Sequence, residues 1–219
     1  MIGNDTEKAK ANNILVGAYH FAYPHLNDAE REAMHFINVS GDYLKDGYLR
    51  PALDVEHDTA VCAGIGKANL SRWVDTWMSK VKNETGVEPI LYTNSNWATN
   101  CYETYLTKYD LWIANWTYDL TRDPNDGIWS HWHFWQYGLT NVQGIEGQVD
   151  ADVFNGNISQ LQAFVINTSS QQPSCTLVGD TPPCDEVSIS EVLSSIFNWA
   201  QGQLSLMDVM ALIYAWAAW

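Results

Sequence analysis

Apolar residues recur along this chain in two periods. A continuous run, Ile14-Leu-Val-Gly-Ala-Tyr-His-Phe-Ala22, stopped by Pro24, predicts a strand. The tail of a helix, Thr6 to Asn13, precedes it. Asn27 to Asn38 has the length and composition of an amphipathic helix, with Asn27 as its N-cap. Arg50 to Glu56 predicts a second strand. Between Ala68 and Thr85, residues Trp73, Val74, Trp77, Met78 and Val81 share one face at helical spacing, and Gly86 ends the helix. Pro89 to Thr93 predicts a strand, Ser95 to Tyr105 a short helical return, and Asp110 to Asn115, Trp129 to Tyr137 and Gln148 to Val153 three further strands. Strands alternating with helices predict the α/β class, with a mostly parallel sheet or barrel. In such folds the chemistry gathers at the C-terminal ends of the strands.

The pattern changes near residue 168. Ser169 to Pro183 is rich in Ser, Gln, Pro and Thr and reads as a linker. Beyond it, Val187 to Ala200 matches Leu204 to Ala217, an internal repeat. Each copy opens with a Ser followed three residues later by an acid, the capping-box pattern. The expected organisation is a barrel over 1–167, a linker over 168–183 and a two-helix module over 184–219.

Two acidic clusters close predicted strands. In Pro51-Ala-Leu-Asp-Val-Glu-His57, Asp54 and Glu56 lie two apart and so project to one side, while Leu53 and Val55 take the other. Like charges held close in a confined space raise one pKa. A carboxyl kept protonated near neutral pH is what a general acid needs in glycoside cleavage. Gln148-Val-Asp-Ala-Asp-Val-Phe154 repeats the arrangement with Asp150 and Asp152. His131-Trp-His133 has metal-chelate spacing, but surface or packed histidines are the commoner outcome of such a pair.

Composition narrows the partners. With 26 acidic and 11 basic residues the net charge is −15, and no basic run occurs, which argues against nucleic acid and against an anionic membrane surface. No apolar run has transmembrane length. Eleven Trp and eleven Tyr exceed the needs of a core and suit stacking on flat sugar faces. Four cysteines, none in a C-x-x-C pair, allow three pairings. Cys62–Cys101 with Cys175–Cys184 keeps each bond within one domain, and four free thiols are the alternative. N-x-S/T triplets occur at Asn4, Asn38, Asn69, Asn83, Asn115, Asn157 and Asn167, where 17 Asn and 28 Ser plus Thr predict roughly two. The excess predicts a secreted or cell-surface glycoprotein. Met1-Ile-Gly-Asn-Asp-Thr-Glu-Lys8 lacks an apolar core, so either the export signal lies outside this sequence or the triplets are idle.

The order Val16-Gly-Ala-Tyr-His-Phe-Ala22, Leu53-Asp-Val-Glu56, Pro89-Ile-Leu-Tyr-Thr-Asn94, Leu111-Trp-Ile-Ala-Asn115, Phe134-Trp-Gln-Tyr137 and Val149-Asp-Ala-Asp-Val-Phe154 resembles the family 25 glycoside hydrolases, the Chalaropsis-type lysozymes or N-acetylmuramidases. The resemblance implies a TIM-like β/α barrel that hydrolyses the β-1,4 bond between N-acetylmuramic acid and N-acetylglucosamine in peptidoglycan, without metal or other cofactor. It implies Glu56 as general acid/base, Asp54 as the partner that orients the substrate acetamido group or stabilises charge, and Asp150 as a further pocket acid. Tyr19, Phe21, Tyr92, Trp135 and Asp152 are expected to bind substrate. Family members open with a G-x-D-V-S strand, a helix and a second strand. Those segments are missing here, so an incomplete barrel with an open edge is expected.

The terminal repeat resembles dockerin-like modules, which implies a protein partner. Asp180 to Glu191 spans a calcium-loop length, but Pro182 and Cys184 replace oxygen ligands and Asp185 replaces Gly, so the loop reads as degenerate. Two other readings stay open: a chitinase-like hydrolase, and a non-catalytic glycan-binding or surface-structural protein.

Overall fold

The computed structural model of the chain describes residues 2–117, 119–167 and 188–217. The chain divides into two compact units, Met1–Thr168 and Ser169–Trp219.

The first unit is a curled, half-barrel sheet with helices on its outer side. Its strands are β1 (Gly17–Phe21), β2 (Leu49–Asp54), β3 (Ile90–Asn94), β4 (Leu111–Ala114), β5 (Phe134–Asn141) and β6 (Gln148–Phe154). They stand in chain order. The first five run parallel and β6 pairs antiparallel with β5, so the last two expected strands form a hairpin. Among the described residues the sheet does not close, and β1 and β6 are its edges.

Helix α1 (Ile2–Ala11) precedes β1, and α2 (Ala29–Ser40) joins β1 to β2. The connection from β2 to β3 holds α3 (Thr59–Ile65), which periodicity missed because it is under two turns long, and then α4 (Lys67–Thr85). Leu70, Val74, Trp77, Met78 and Val81 make the buried stripe of α4. Gly86, with φ of 72°, closes it in the left-handed region by donating to Lys82 O. The return after β3 is split into α5 (Ser95–Asn100) and a 3-10 turn, Thr104–Lys108. A short α6 (Ile158–Gln162) follows β6.

Two expectations need correction. Asp28, not Asn27, caps α2 by accepting from Arg31 N at 3.1 Å; Asn27 instead donates to Glu32 Oε1 at 2.7 Å. The segment from Trp129 to His133 is not strand, since Trp129 and Trp132 are drawn into the core and pairing begins at Phe134. The sheet ends antiparallel because the β5–β6 connection is too short for a crossover.

Alternation along the strands makes two apolar clusters. Leu53, Val55, Leu91, Ile113 and Trp135 face the helices and pack with Phe36, Val74, Trp77, Met78 and Trp97. Ala52, Ile90 and Phe164, joined by Leu49, Trp112, Phe134 and Phe154, fill the floor of the concave side. Cys62 and Cys101 are disulfide-bonded, with Cα atoms 5.8 Å apart.

The second unit shows α7 (Ile189–Ala200) and α8 (Leu206–Ala217) packed on each other. Ser188 Oγ accepts from Glu191 N while Ser188 N donates to Glu191 Oε2 at 2.7 Å; Ser205 and Asp208 repeat the exchange. Val192, Val209 and Leu212 are buried. The linker, Cys175, Cys184 and most of the Asp180–Glu191 loop lie outside the described residues.

Candidate active site

The concave side of the sheet carries a groove at the C-terminal ends of the strands. A cavity of about 320 Å³ is lined by Tyr19 from β1, Ala52 and Asp54 from β2, Tyr92 from β3, Trp112 from β4, Gln136 from β5 and Asp150 and Asp152 from β6, with Glu56 and Trp116 just past strand ends. The sheet's register assembles it: Asp54 sits beside Tyr92, and Gln136 beside Asp152. Alternation sends Leu53 and Val55 to the opposite face, where both are fully buried. The four predicted acids thus share one cavity, together with Tyr19 and Tyr92.

The cavity continues into a hollow of about 380 Å³ lined by Asn94, Ser95, Asn96 and Asn115, which shares Glu56, Tyr92, Trp116 and Gln136 with it. Glu56 therefore stands at the junction of two compartments. Asn94 holds it there. Its Oδ1 accepts from Trp97 N at 3.0 Å as the N-cap of α5, and its Nδ2 donates to Glu56 Oε2 at 3.2 Å. The loop beyond β4, which carries Trp116, is seated on α5 at Gly127. This residue has φ of +67°, and a Cβ there would come within 2.2 Å of the Ala98 carbonyl carbon.

The acids are not equivalent. Burial, with the charges of Glu56 and Asp150 beside it, pushes the Asp54 carboxyl up to about 8. Its Oδ1 is buried and has no protein hydrogen-bond partner. Burial also raises Asp152, opposed by the Trp112 Nε1 bond to its Oδ1 at 2.7 Å. Tyr92 OH donates to Gln136 Oε1 at 3.3 Å, and Trp116 Nε1 donates to the same oxygen at 2.7 Å. Two donors on one acceptor fix the Gln136 amide, which leaves its NH₂ group facing elsewhere.

Two expected wall residues lie elsewhere. Trp135 is only 2% exposed, packs against Trp132 and Tyr137 in the helix-side core, and donates from Nε1 to Asn115 O. Its neighbour Gln136 takes the groove position because the pleat inverts successive side chains. Phe21 stands against Tyr23 and His57 and lines a separate hollow of about 460 Å³ with His20, Arg31, Glu32 and His35. That hollow is larger but holds none of the four acids, and its Glu32 is already engaged by His20, Tyr23 N and Asn27. Sequence reasoning passed over Trp112, Trp116, Gln136 and Asn94. The usable signal was the polar Gln inside an aromatic run and the Asn-Ser pair ending a strand.

The His131 and His133 rings meet edge to face at 4.7 Å, and His133 Nδ1 lies 3.5 Å from Asp110, which pairs with Arg50 at 2.6 Å. Among the described residues no group of three or more His, Cys, Asp or Glu side chains is placed to hold a metal ion. No described helix is long and apolar enough to cross a membrane.

The family described as Glycosyl hydrolases family 25 matches residues 1–147. Lysozyme M1 of Streptomyces globisporus is 31% identical over 163 residues, covering 71% of this chain and 55% of the relative. The N,O-diacetylmuramidase of Chalaropsis sp is 28% identical, covering 67% and 74%. Among solved structures, the bacterial lysozyme from Streptomyces coelicolor superposes with a TM-score of 0.67 at 27% identity, covering 75% of this chain and 78% of that one. The chain spans about half the length of several curated relatives it matches.

Proposed function

From a chain that belongs to the glycosyl hydrolases family 25, we propose an enzyme that hydrolyses the β-1,4 bond between N-acetylmuramic acid and N-acetylglucosamine in peptidoglycan, with Glu56 as general acid/base and Asp54 as its partner. The observation that carries this reading is the meeting of Asp54, Glu56 and Asp150 in one aromatic-walled groove at the strand ends.

The acids divide the work by environment. The raised Asp54 carboxyl keeps one proton in the cluster at neutral pH. In the free protein that proton rests on Asp54, the carboxyl raised by burial, and the Asn94 hydrogen bond positions Glu56 beside it. Binding of substrate moves it to Glu56, and the Asp54 carboxylate then accepts the acetamido N–H at its unpartnered oxygen. Glu56 protonates the bridging oxygen, the C1–O bond breaks, and the acetamido oxygen closes on C1. Water then opens that intermediate while Glu56 takes its proton back. Tyr92, Trp112 and Trp116 offer ring faces for the sugars, and Asp150 and Asp152 offer acceptors for their hydroxyls.

Wall material places the substrate outside the cell, in line with an extracellular enzyme. The α7–α8 pair is proposed as a dockerin-like module that engages a protein partner; its paired capping boxes and internal repeat support this.

The test is release of new reducing ends from insoluble peptidoglycan by the full chain. Muramic acid at the new ends is expected, with activity falling as pH rises past about 8 because the shared proton is lost. Ends carrying glucosamine, or turnover of chitin oligomers instead, would replace this reading with the chitinase-like one. A second reading is glycan binding without cleavage, since the groove offers aromatic faces and hydroxyl acceptors beside its acids. Co-sedimentation with walls and no reducing ends would select it.

A further inference from the structure

We propose that Asn38, Asn69 and Asn83 carry N-linked oligosaccharides, which would make the helical flank of the first unit a sugar-coated surface and leave the groove side bare. Seven N-x-S/T triplets stand where composition predicts roughly two. The fold separates four of them, Asn38, Asn69 and Asn83 from Asn115.

Asn38 lies on α2, and Asn69 and Asn83 lie on α4; all three are exposed. The two on α4 are fourteen residues apart. At about 100° and 1.5 Å per residue, this puts them within about 40° of each other around the helix and about 21 Å apart along it. Leu70, Val74, Trp77, Met78 and Val81 occupy the other side of α4. A large hydrophilic substituent on these asparagines therefore displaces no packed side chain.

Asn115 is the contrast. It is half-buried, lines the hollow beside Glu56, and its Oδ1 accepts from Asn125 N at 2.9 Å. A saccharide on its Nδ2 would stand in the groove against Trp116 and Gln136.

A second, independent observation points to the same compartment. The Cys62–Cys101 disulfide is a bond that persists in oxidising, secretory surroundings, where asparagine glycosylation also takes place. In the transfer, the Asn amide nitrogen bonds to C1 of an oligosaccharide carried on a lipid pyrophosphate. The C1–O bond breaks, the lipid pyrophosphate leaves with the electron pair, and the amide gives up one proton. Ser71 Oγ of the Asn69 triplet is buried and accepts from Glu103 N at 2.8 Å, so transfer there precedes folding of α4. The folded contacts survive the modification. The remaining Asn69 amide hydrogen can still donate to Ile65 O, and its Oδ1 can still accept from Arg72.

The experiment expresses the full chain behind a cleavable export leader in a eukaryotic host. Total protein, retained and secreted, is treated with peptide-N-glycosidase in ¹⁸O-water and digested. Occupied asparagines are then read as ¹⁸O-labelled Asp. Label at Asn38, Asn69 and Asn83 is expected, with each of N38Q, N69Q and N83Q removing one step of gel mobility. Absence of label at two or more of the three overturns the proposal. Label at Asn115 in the secreted protein overturns the bare groove. Both readouts are masses or mobilities, so they stand or fall separately from hydrolysis.

Discussion

The two faces of the six-stranded sheet are built from the same strands, one residue out of step, and they obey opposite rules. On the helix side Leu53, Val55, Leu91 and Ile113 are fully buried in a large apolar cluster, in which Trp77 Nε1 is the buried polar atom without a hydrogen-bond partner among the described residues. On the concave side Asp54, Tyr92, Gln136 and Asp152 crowd polar atoms into a half-open cavity, and one carboxyl oxygen has no partner at all. The first face is where burial stabilises the fold; the second is where stability is given up to hold charged groups out of water. A single-residue step along a strand is enough to pass from one regime to the other.

Substitutions on each face should therefore fail differently. The largest effect belongs to the helix side. Trp77→Ala removes a fully buried ring stacked on His20 and tilted against Phe36, and should cost about 3–5 kcal/mol in denaturant unfolding. A loss under about 1 kcal/mol would mean that this core is not what holds the sheet. Next is Glu56→Gln, which keeps shape and removes the transferable proton. Wall hydrolysis should drop at least about 100-fold with the unfolding midpoint unchanged. Retained activity would remove Glu56 from its assigned role.

Asp54→Asn sharpens the contrast, because it should damage function and improve stability together. Burial and the neighbouring carboxylates push Asp54 up to about 8 in the folded protein, from an ordinary value of 3.8. Between those limits the unfolded chain ionises while the folded protein retains its proton. The burden on stability is thus absent near pH 4, grows as pH rises, and levels off above about 8. The variant should match the parent near pH 4 and exceed it by about 1–3 kcal/mol at pH 8. Equal stability at both pH values would show that Asp54 is not perturbed. The smallest effect is expected from deleting 169–219, the second compact unit. Far-UV signal per residue of the first unit and any hydrolysis should be unchanged, and aggregation of the shortened chain would show that the two units share a core.

The comparison also explains what could be read in advance. The acid pair on β2 was legible because Asp and Glu break an otherwise apolar strand at alternate positions, so the face they share is unambiguous. The α4 helix was legible because its apolar stripe, Leu70 to Val81, recurs over about three turns. Phe134-Trp-Gln-Tyr137 was not, since an aromatic run carries no contrast that tells one face from the other, and Trp135 was placed on the groove when register with Asp152 gives that place to Gln136. The Cys62–Cys101 pairing rested on domain bookkeeping alone and agrees with the structure. Trp116 escaped notice because it acts from a loop, where no periodicity applies.

That disulfide has a consequence for the unfolded chain. Cys62 lies in the connection that leaves β2, and Cys101 closes the short helix that leaves β3, so the bond ties together the two rim segments that follow Glu56 and Asn94. With its ends 39 positions apart, it removes about 4 kcal/mol of loop entropy from the denatured ensemble. The oxidised chain therefore searches for its fold with the acid and the asparagine that orients it already confined to one neighbourhood. Their meeting becomes a local event, although they stand 38 residues apart in sequence.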